Sequence, residues 1–357
     1  MTATERLAAL LPGTDEAALI TTPHNRRYFT GFPSSDGCLL VTREAAYFLT
    51  DFRYIEAAKR GIRDRFIDCR EYARMEDALR TLAEKLRLHR IYLEADGVAL
   101  SQRERLQASL PAQLEGSDTL DRWVDSLRRV KTPGELEKIR QAQALTEDGF
   151  THILDFVRPG RTEREVALEL EFFIRKQGAE AAAFDFIVVS GSNTSLPHGV
   201  PTEKPIGSGE FVTMDFGAVV EGYHADMTRT VAAGSVSEEQ ERVYNIVLQA
   251  QIKALAALKP GLSCVAGDAA ARDIIAAAGY GDCFGHGTGH GVGVEIHEQP
   301  RLSPSARGQQ LQAGNVVTVE PGIYIEGKFG VRIEDMAAIT ETGCENLTKS
   351  PKTLIRL

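Results

Sequence analysis

Along the first third of the chain, short apolar runs of β type alternate with stretches of helical periodicity. EAALITT (16–22), GCLLVT (37–42), AAYFLTDF (45–52) and RIYLEAD (90–96) predict strands. RYIEAAKR (53–60), MEDALRTLAEKLRL (75–88) and SQRERLQASL (101–110) predict helices. Residues 1–16 read as a short amphipathic helix, without the basic start and long apolar core of a secretory signal. The alternation predicts an α/β layer domain. The polar stretch VKTPGE (130–135), broken by Pro-Gly, opens a long amphipathic helix and puts the boundary near 122–130. We therefore expect an N-terminal domain over 1–125 and a second domain over 126–357.

The second domain carries an internal repeat. FVRPGRTEREVALELE (156–171) resembles ALKPGLSCVAGDAA (257–270), about 101 residues on. Each copy runs helix, Pro-Gly, Ser/Thr cap, second helix; the first cap, Thr162-x-x-Glu165, is a capping-box pattern. Each then reaches a segment with glycine and histidine, SNTSLPHGV (192–200) or GHGTGHGVG (285–293), and ends in a hairpin. GEFVTMDFGAVVEGYHADMTRT (209–230) aligns with GNVVTVEPGIYIEGKFGVRIEDMAAIT (314–340), so that Asp215 matches Glu320 and Gly217 matches Gly322. Two α+β halves facing each other follow, with the hairpins lining the cleft between them.

Composition narrows the function. At 357 residues the chain is too long for one typical core. A net charge of −9 argues against nucleic acid as a partner, and no apolar run is long enough to span a membrane. Five scattered cysteines without a CxxC pair read as reduced thiols in a cytoplasmic protein.

The chemistry sits in the hairpins. Asp215, Asp226, Glu320 and Glu334 fall inside apolar, strand-like runs, where ionised carboxylates are rarely buried unless paired or metal-bound. Opposite residues of antiparallel strands lie ~5 Å apart at Cβ, so a pair of acids in each hairpin repels without a cation. Oxygen ligands with one imidazole suit a divalent ion, and two acid pairs plus a histidine suffice for two ions at the ~3.5–4 Å separation of two-metal sites. His286 and His290 have the spacing of a helical zinc site, but the glycines around them argue against a helix. His198 holds the place in the first copy that the His-rich segment holds in the second. Arg332, two residues before Glu334, shares its strand face as a partner for a ligand carboxylate; Tyr324 shares a face with Glu320.

Through MDFGAVVEGYHADMTRT, HGTGHGVGVEIHE, EPGIYI and GVRIED, the chain resembles the aminopeptidase P/prolidase family of metallopeptidases along nearly its whole length. NRRYFTGFPSSDGCLLVT resembles that family's creatinase-type N-terminal domain. The resemblance implies an α/β N-terminal domain followed by an α+β pita-bread catalytic domain, the latter in agreement with the repeat. It implies metal ligands at Asp215, Asp226, His290, Glu320 and Glu334, holding two divalent ions: manganese first, cobalt or zinc as alternatives. It further implies His198 and His297 at the substrate and an arginine at the place of Arg332; Glu320, a ligand near the attacking water, is the candidate proton carrier, and His286 and Tyr324 are candidate substrate-binding or supporting residues. Asp36 belongs to a loop that in the family can reach a neighbouring subunit's cleft, and a homodimer is expected.

The expected substrates are proline-containing peptides, cleaved at an N-terminal Xaa-Pro bond. Aminopeptidase P is favoured over prolidase because no basic residue stands out to close the far side of the site. A methionine aminopeptidase is disfavoured by the added N-terminal domain. A creatinase or a non-catalytic peptide-binding relative is disfavoured because all five ligands are present.

Overall fold

The structure, a computed structural model, describes residues 1–357, which divide into two compact units, Met1–Arg128 and Arg129–Leu357. In the first unit a six-stranded mixed sheet runs, edge to edge, Ile67–Glu71, Ala46–Thr50, Cys38–Thr42, Glu16–Ile20, Arg90–Leu93 and Gln113–Glu115. The two central strands are apolar at most positions and completely buried, as a sheet covered on both faces requires. The four expected strands are present. Ile67–Glu71 and Gln113–Glu115 were not anticipated: both are edge strands, short and largely polar, so their sequences lack a buried-strand pattern. Helices Pro23–Thr30 and Thr119–Arg129 were likewise missed.

The second unit carries the duplication. Its halves open with helix pairs, Pro133–Leu154 with Glu163–Lys176 and Glu238–Ala257 with Cys264–Ala277. The second helix of each pair has 14 residues and starts at an equivalent cap: Thr162 accepts from the Glu165 amide, Ser263 from the Ala266 amide. The first pair packs Phe150, Val166, Leu170 and Ile174 against Val188, Val212, Met214 and Phe216 of an antiparallel sheet. That sheet is ordered Met227–Ala233, Glu210–Phe216, Ile187–Ser190. The second pair packs Val243, Val247, Ala271 and Ile275 with Val317 and Val319, from a five-stranded sheet centred on Val316–Val319.

The acids lie at strand ends more than inside strands. Asp215 is within Glu210–Phe216, opposite Thr228. Asp226 immediately precedes Met227–Ala233, Glu320 immediately follows Val316–Val319, and Glu334 falls between Phe329–Arg332 and Asp335–Ile339. The sequence reading placed all four in strands; the chain breaks its ladders at three of them, freeing the side chains to converge.

Behind Glu334 lies a buried polar knot. Arg229, 1% exposed, donates to the Glu334 carbonyl (2.6 Å), to Asp335 Oδ1 (2.8 Å) and to the carbonyls of Thr228, Ser350 and Pro351. Lys352 reaches the other oxygen of Asp335 at 2.6 Å. Removing one partner of a buried ion pair strands the other charge. Arg229→Ala should therefore lower unfolding free energy by about 3 kcal/mol, read by urea denaturation, even though Lys352 stays on Asp335. A loss below about 0.5 kcal/mol, the ordinary surface range, would show that the knot contributes little.

Candidate metal centre and its pocket

A cavity of about 760 Å³ in the second unit gathers most of the expected site. Asp215, Asp226, His290, Glu320 and Glu334 all line it, and so do His198, His286, His297 and Arg332. Tyr324 does not line it, but its hydroxyl connects two residues that do. Asp36 lies in the other unit, where its carboxylate is taken up by Gly37 N–H (2.8 Å), Tyr72 (3.1 Å) and Arg53 (3.0 Å).

Ligand atoms of Asp226, His290 and Glu334 lie within 4.8 Å of one another, all buried. His290 Nε2 faces Asp226 Oδ2 at 3.5 Å and Glu320 Oε1 at 3.3 Å. Its Nδ1 lies 3.1 Å from the Gly291 carbonyl. A carbonyl only accepts, so Nδ1 carries the proton and the Nε2 lone pair points at the acids. Burial, assisted by His297, pushes the His290 pKa down to about 3, which keeps the ring neutral.

The acids suffer the opposite shift. Burial, then the charges of Glu334, Asp215 and Glu320, raises Asp226 well above the carboxylate range. Burial, then Glu320 and Asp215, does the same to Glu334. Burial, with Asp215 adding and Arg332 opposing, pushes Glu320 up to about 8. Carboxylates so placed need protons or a cation between them. One observation favours a cation: Asp215 Oδ1 is buried without a hydrogen-bond partner, while its Oδ2 is held by Arg332 at 2.7 Å. A neutral imidazole lone pair, an unpartnered carboxylate oxygen and three crowded acids make a donor set that fits divalent metal.

The surrounding hydrogen bonds orient these groups. Arg332 is buried, which opposes its charge, yet Tyr324 and Asp215 hold its pKa above the ordinary value. It donates from Nε to the Thr228 hydroxyl (3.0 Å), which donates onward to Glu334 Oε2 (2.7 Å). Its Nη1 donates to the Tyr324 hydroxyl (2.9 Å) and to the Pro197 carbonyl (3.1 Å). His286 donates from Nδ1 to the Gly287 carbonyl, and its Nε2 lies 2.9 Å from the Tyr324 hydroxyl. Burial lowers the His286 pKa to about 4, so its Nε2 accepts from the tyrosine and the ring is fully engaged. Arg332, Tyr324 and His286 thus form one chain behind Asp215. The glycines beside His290 have a steric reason: a Cβ on Gly289 would sit 2.0 Å from the Thr318 carbonyl oxygen, and one on Gly291 2.4 Å from that of Gln299. Only glycine lets the three backbones close on the histidine.

His198 is exposed on the loop after Gly191–Ser195, and His297 is exposed too, with its ring 4.4 Å from that of His290. Both open to the cavity. Arg301, absent from the sequence reading, also lines it, four residues beyond His297. Strand alternation would have put the two on one face, a signal available in HEQPRL.

Residues 137–341 match metallopeptidase family M24, and residues 12–130 match the creatinase/prolidase N-terminal domain. An Xaa-Pro dipeptidase of Pyrococcus furiosus is 36% identical over 98% of this chain and 99% of its own length. The Xaa-Pro dipeptidase structure from Bacillus anthracis superposes with a TM-score of 0.95 at 42% identity, covering 99% of each chain. The X-Pro aminopeptidase structure from Thermotoga maritima gives 0.91 at 38%, again over 99% of each.

A cation that binds only the folded chain stabilises it, by about 2.7 kcal/mol at a hundredfold excess over Kd. Manganese should therefore raise the melting temperature, EDTA should reverse the rise, and Asp226→Ala should abolish it. An undiminished rise in the variant would place the ion elsewhere.

Proposed function

The chain belongs to metallopeptidase family M24, an α/β creatinase-type domain followed by a pita-bread catalytic domain, and from that premise we propose that it is an Xaa-Pro dipeptidase. The carrying observation is a metal-type cluster at the wall of a cavity that also presents the guanidinium of Arg301. A free proline carboxylate needs a cation beside it, and Arg301 supplies one. The sequence alone favoured aminopeptidase P because that cation was not recognised. The resemblance to dipeptidases in sequence and structure also favours the shorter substrate. The likeness to the Thermotoga enzyme keeps cleavage of longer Xaa-Pro peptides as the second reading.

In this proposal Asp215, Asp226, His290, Glu320 and Glu334 would hold two divalent ions, manganese being the first candidate. When bound, they supply Lewis acidity that polarises the scissile carbonyl and lowers the pKa of water. The chain's own residues do the rest. Arg332 and Thr228 keep Asp215 and Glu334 aimed into the cleft. His198 and His297 donate hydrogen bonds to the substrate as negative charge builds on its carbonyl oxygen. A Glu320 carboxylate oxygen takes the proton of the attacking water and delivers it to the proline nitrogen as the C–N bond breaks. That nitrogen has no hydrogen of its own in the substrate, so the delivered proton is what turns it into a leaving amine.

Purified protein with manganese should release the N-terminal residue from an Xaa-Pro dipeptide and lose that activity to EDTA. Turnover of Xaa-Pro-Yaa tripeptides should be weaker by about tenfold, since the carboxylate lies beyond the reach of Arg301. Arg301→Ala should raise KM for the dipeptide by about tenfold or more while leaving tripeptide turnover nearly unchanged. Preference for the tripeptide in the wild type would favour the aminopeptidase reading, and persistence of activity after complete metal removal would sink both.

A further inference from the structure

Glu163, the first residue of the Glu163–Lys176 helix, is completely buried. Its carboxylate is saturated by uncharged donors. Oε1 accepts from the Ser190 amide (2.7 Å), the Ser190 hydroxyl (3.0 Å) and the Asn193 side chain (3.0 Å). Oε2 accepts from the Thr202 hydroxyl (2.6 Å), the Thr202 amide (3.0 Å) and Asn193 again (3.3 Å). The two oxygens thus grip opposite ends of one loop, residues 190–202, and His198 stands near its crown. Outside its contacts with Glu163, the loop's crown is tied by the Pro197 carbonyl to Arg332, the residue that holds Asp215, and its flanks by Thr194, which accepts from the Gly330 amide (2.8 Å), by Ser190, which accepts from Lys204 (2.9 Å), and by the Thr202 carbonyl, which accepts from the Arg164 amide (3.0 Å). Its outer face is open to solvent, with Leu196 and Val200 55% and 75% exposed. The anchoring of the crown therefore comes from beneath.

The second half of the repeat uses the same device. Asp268, buried on the Cys264–Ala277 helix, receives Arg272 at 2.6 and 2.8 Å and the Thr288 amide at 2.9 Å. Arg272 also donates to the carbonyls of Phe284 and His286. In each half, a buried acid on the second helix fixes the histidine-bearing segment of that half.

We propose that Glu163 is a positioning residue for His198, fixing the 190–202 loop so that the imidazole is presented to substrate. The proposal rests on the reading of His198 as a substrate contact. A charged acceptor is required because all six hydrogen bonds point hydrogens at the two oxygens. In Glu163→Gln, the amide NH₂ would meet donors whichever way it turned, and one end of the loop would come loose. No proposed metal ligand lies in that loop, so metal binding serves as the internal control.

The test is a double-mutant cycle on the manganese-loaded enzyme: wild type, Glu163→Gln, His198→Ala and the pair. The readouts are kcat/KM on an Xaa-Pro dipeptide, amide hydrogen exchange over 190–202, and the manganese-induced rise in melting temperature. Glu163→Gln is expected to lower kcat/KM by about tenfold, speed exchange across the loop and keep the manganese rise; added to His198→Ala it should cost less than about twofold more. Thr202→Val, which removes one donor and is milder, should follow the same non-additive pattern should the glutamine variant fail to fold. An equal loss in both backgrounds overturns the inference and leaves His198 in its role. Wild-type kcat/KM in His198→Ala removes His198 from the substrate contacts, and the inference falls with it.

Discussion

The structure turns on the repulsion among four carboxylates brought to one point in a largely dehydrated site. Left alone they would separate or take up protons, and burial has pushed Asp226, Glu320 and Glu334 in that direction. Two buried arginines oppose the separation in different ways. Arg332 pairs directly with Asp215 and reaches Glu334 through Thr228. Arg229 binds none of the four clustered carboxylates; it clamps the backbone at Glu334 and neutralises the neighbouring Asp335. One arginine thus sets side-chain aim and the other sets chain path. The unpartnered oxygen of Asp215 and the lone pair of His290 remain directed at the space a cation would fill.

Duplication explains how a single chain assembles such a cluster. Each half builds a helix pair over an antiparallel sheet, and its acids lie in or beside the strands of that sheet. The copies then diverge where the chemistry requires it. The second copy contributes a glycine-lined histidine to the cluster, and the first leaves its histidine on an exposed loop gripped from below by Glu163. In the proposed function this small difference between otherwise matched halves makes the site asymmetric, with one side for metal and the other for substrate. Arg301 adds a cation to the same cavity, which gives the proposed dipeptidase a means of recognising the end of its substrate.

Much of this was legible in the chain. Apolar runs and caps located the central strands of the first unit, the helix pairs and the repeat, because a buried strand and a capped helix each have a local signature. The spacing and context of the five candidate ligands were legible for a related reason: a carboxylate in an apolar run is an anomaly that needs a partner. The short edge strands Ile67–Glu71 and Gln113–Glu115 were not legible, since half-exposed polar strands look like loops. Neither was the breaking of the ladders at Asp226, Glu320 and Glu334, which depends on how two sheets meet.

What the sequence determined by itself was the kind of groups present, their order and their membership in two equivalent hairpins. These are properties of local pattern and of repetition along one chain. The tertiary structure alone decided which partner each group has. Glu163 reads in sequence as one more acid at a helix start, yet it binds residues 27 to 39 positions away. Arg301 reads as a surface arginine, yet it opens into the cavity. Hydrogen bonds and charge pairs act over a few ångströms in space, whatever the separation in sequence, so their partners exist only once the chain has folded.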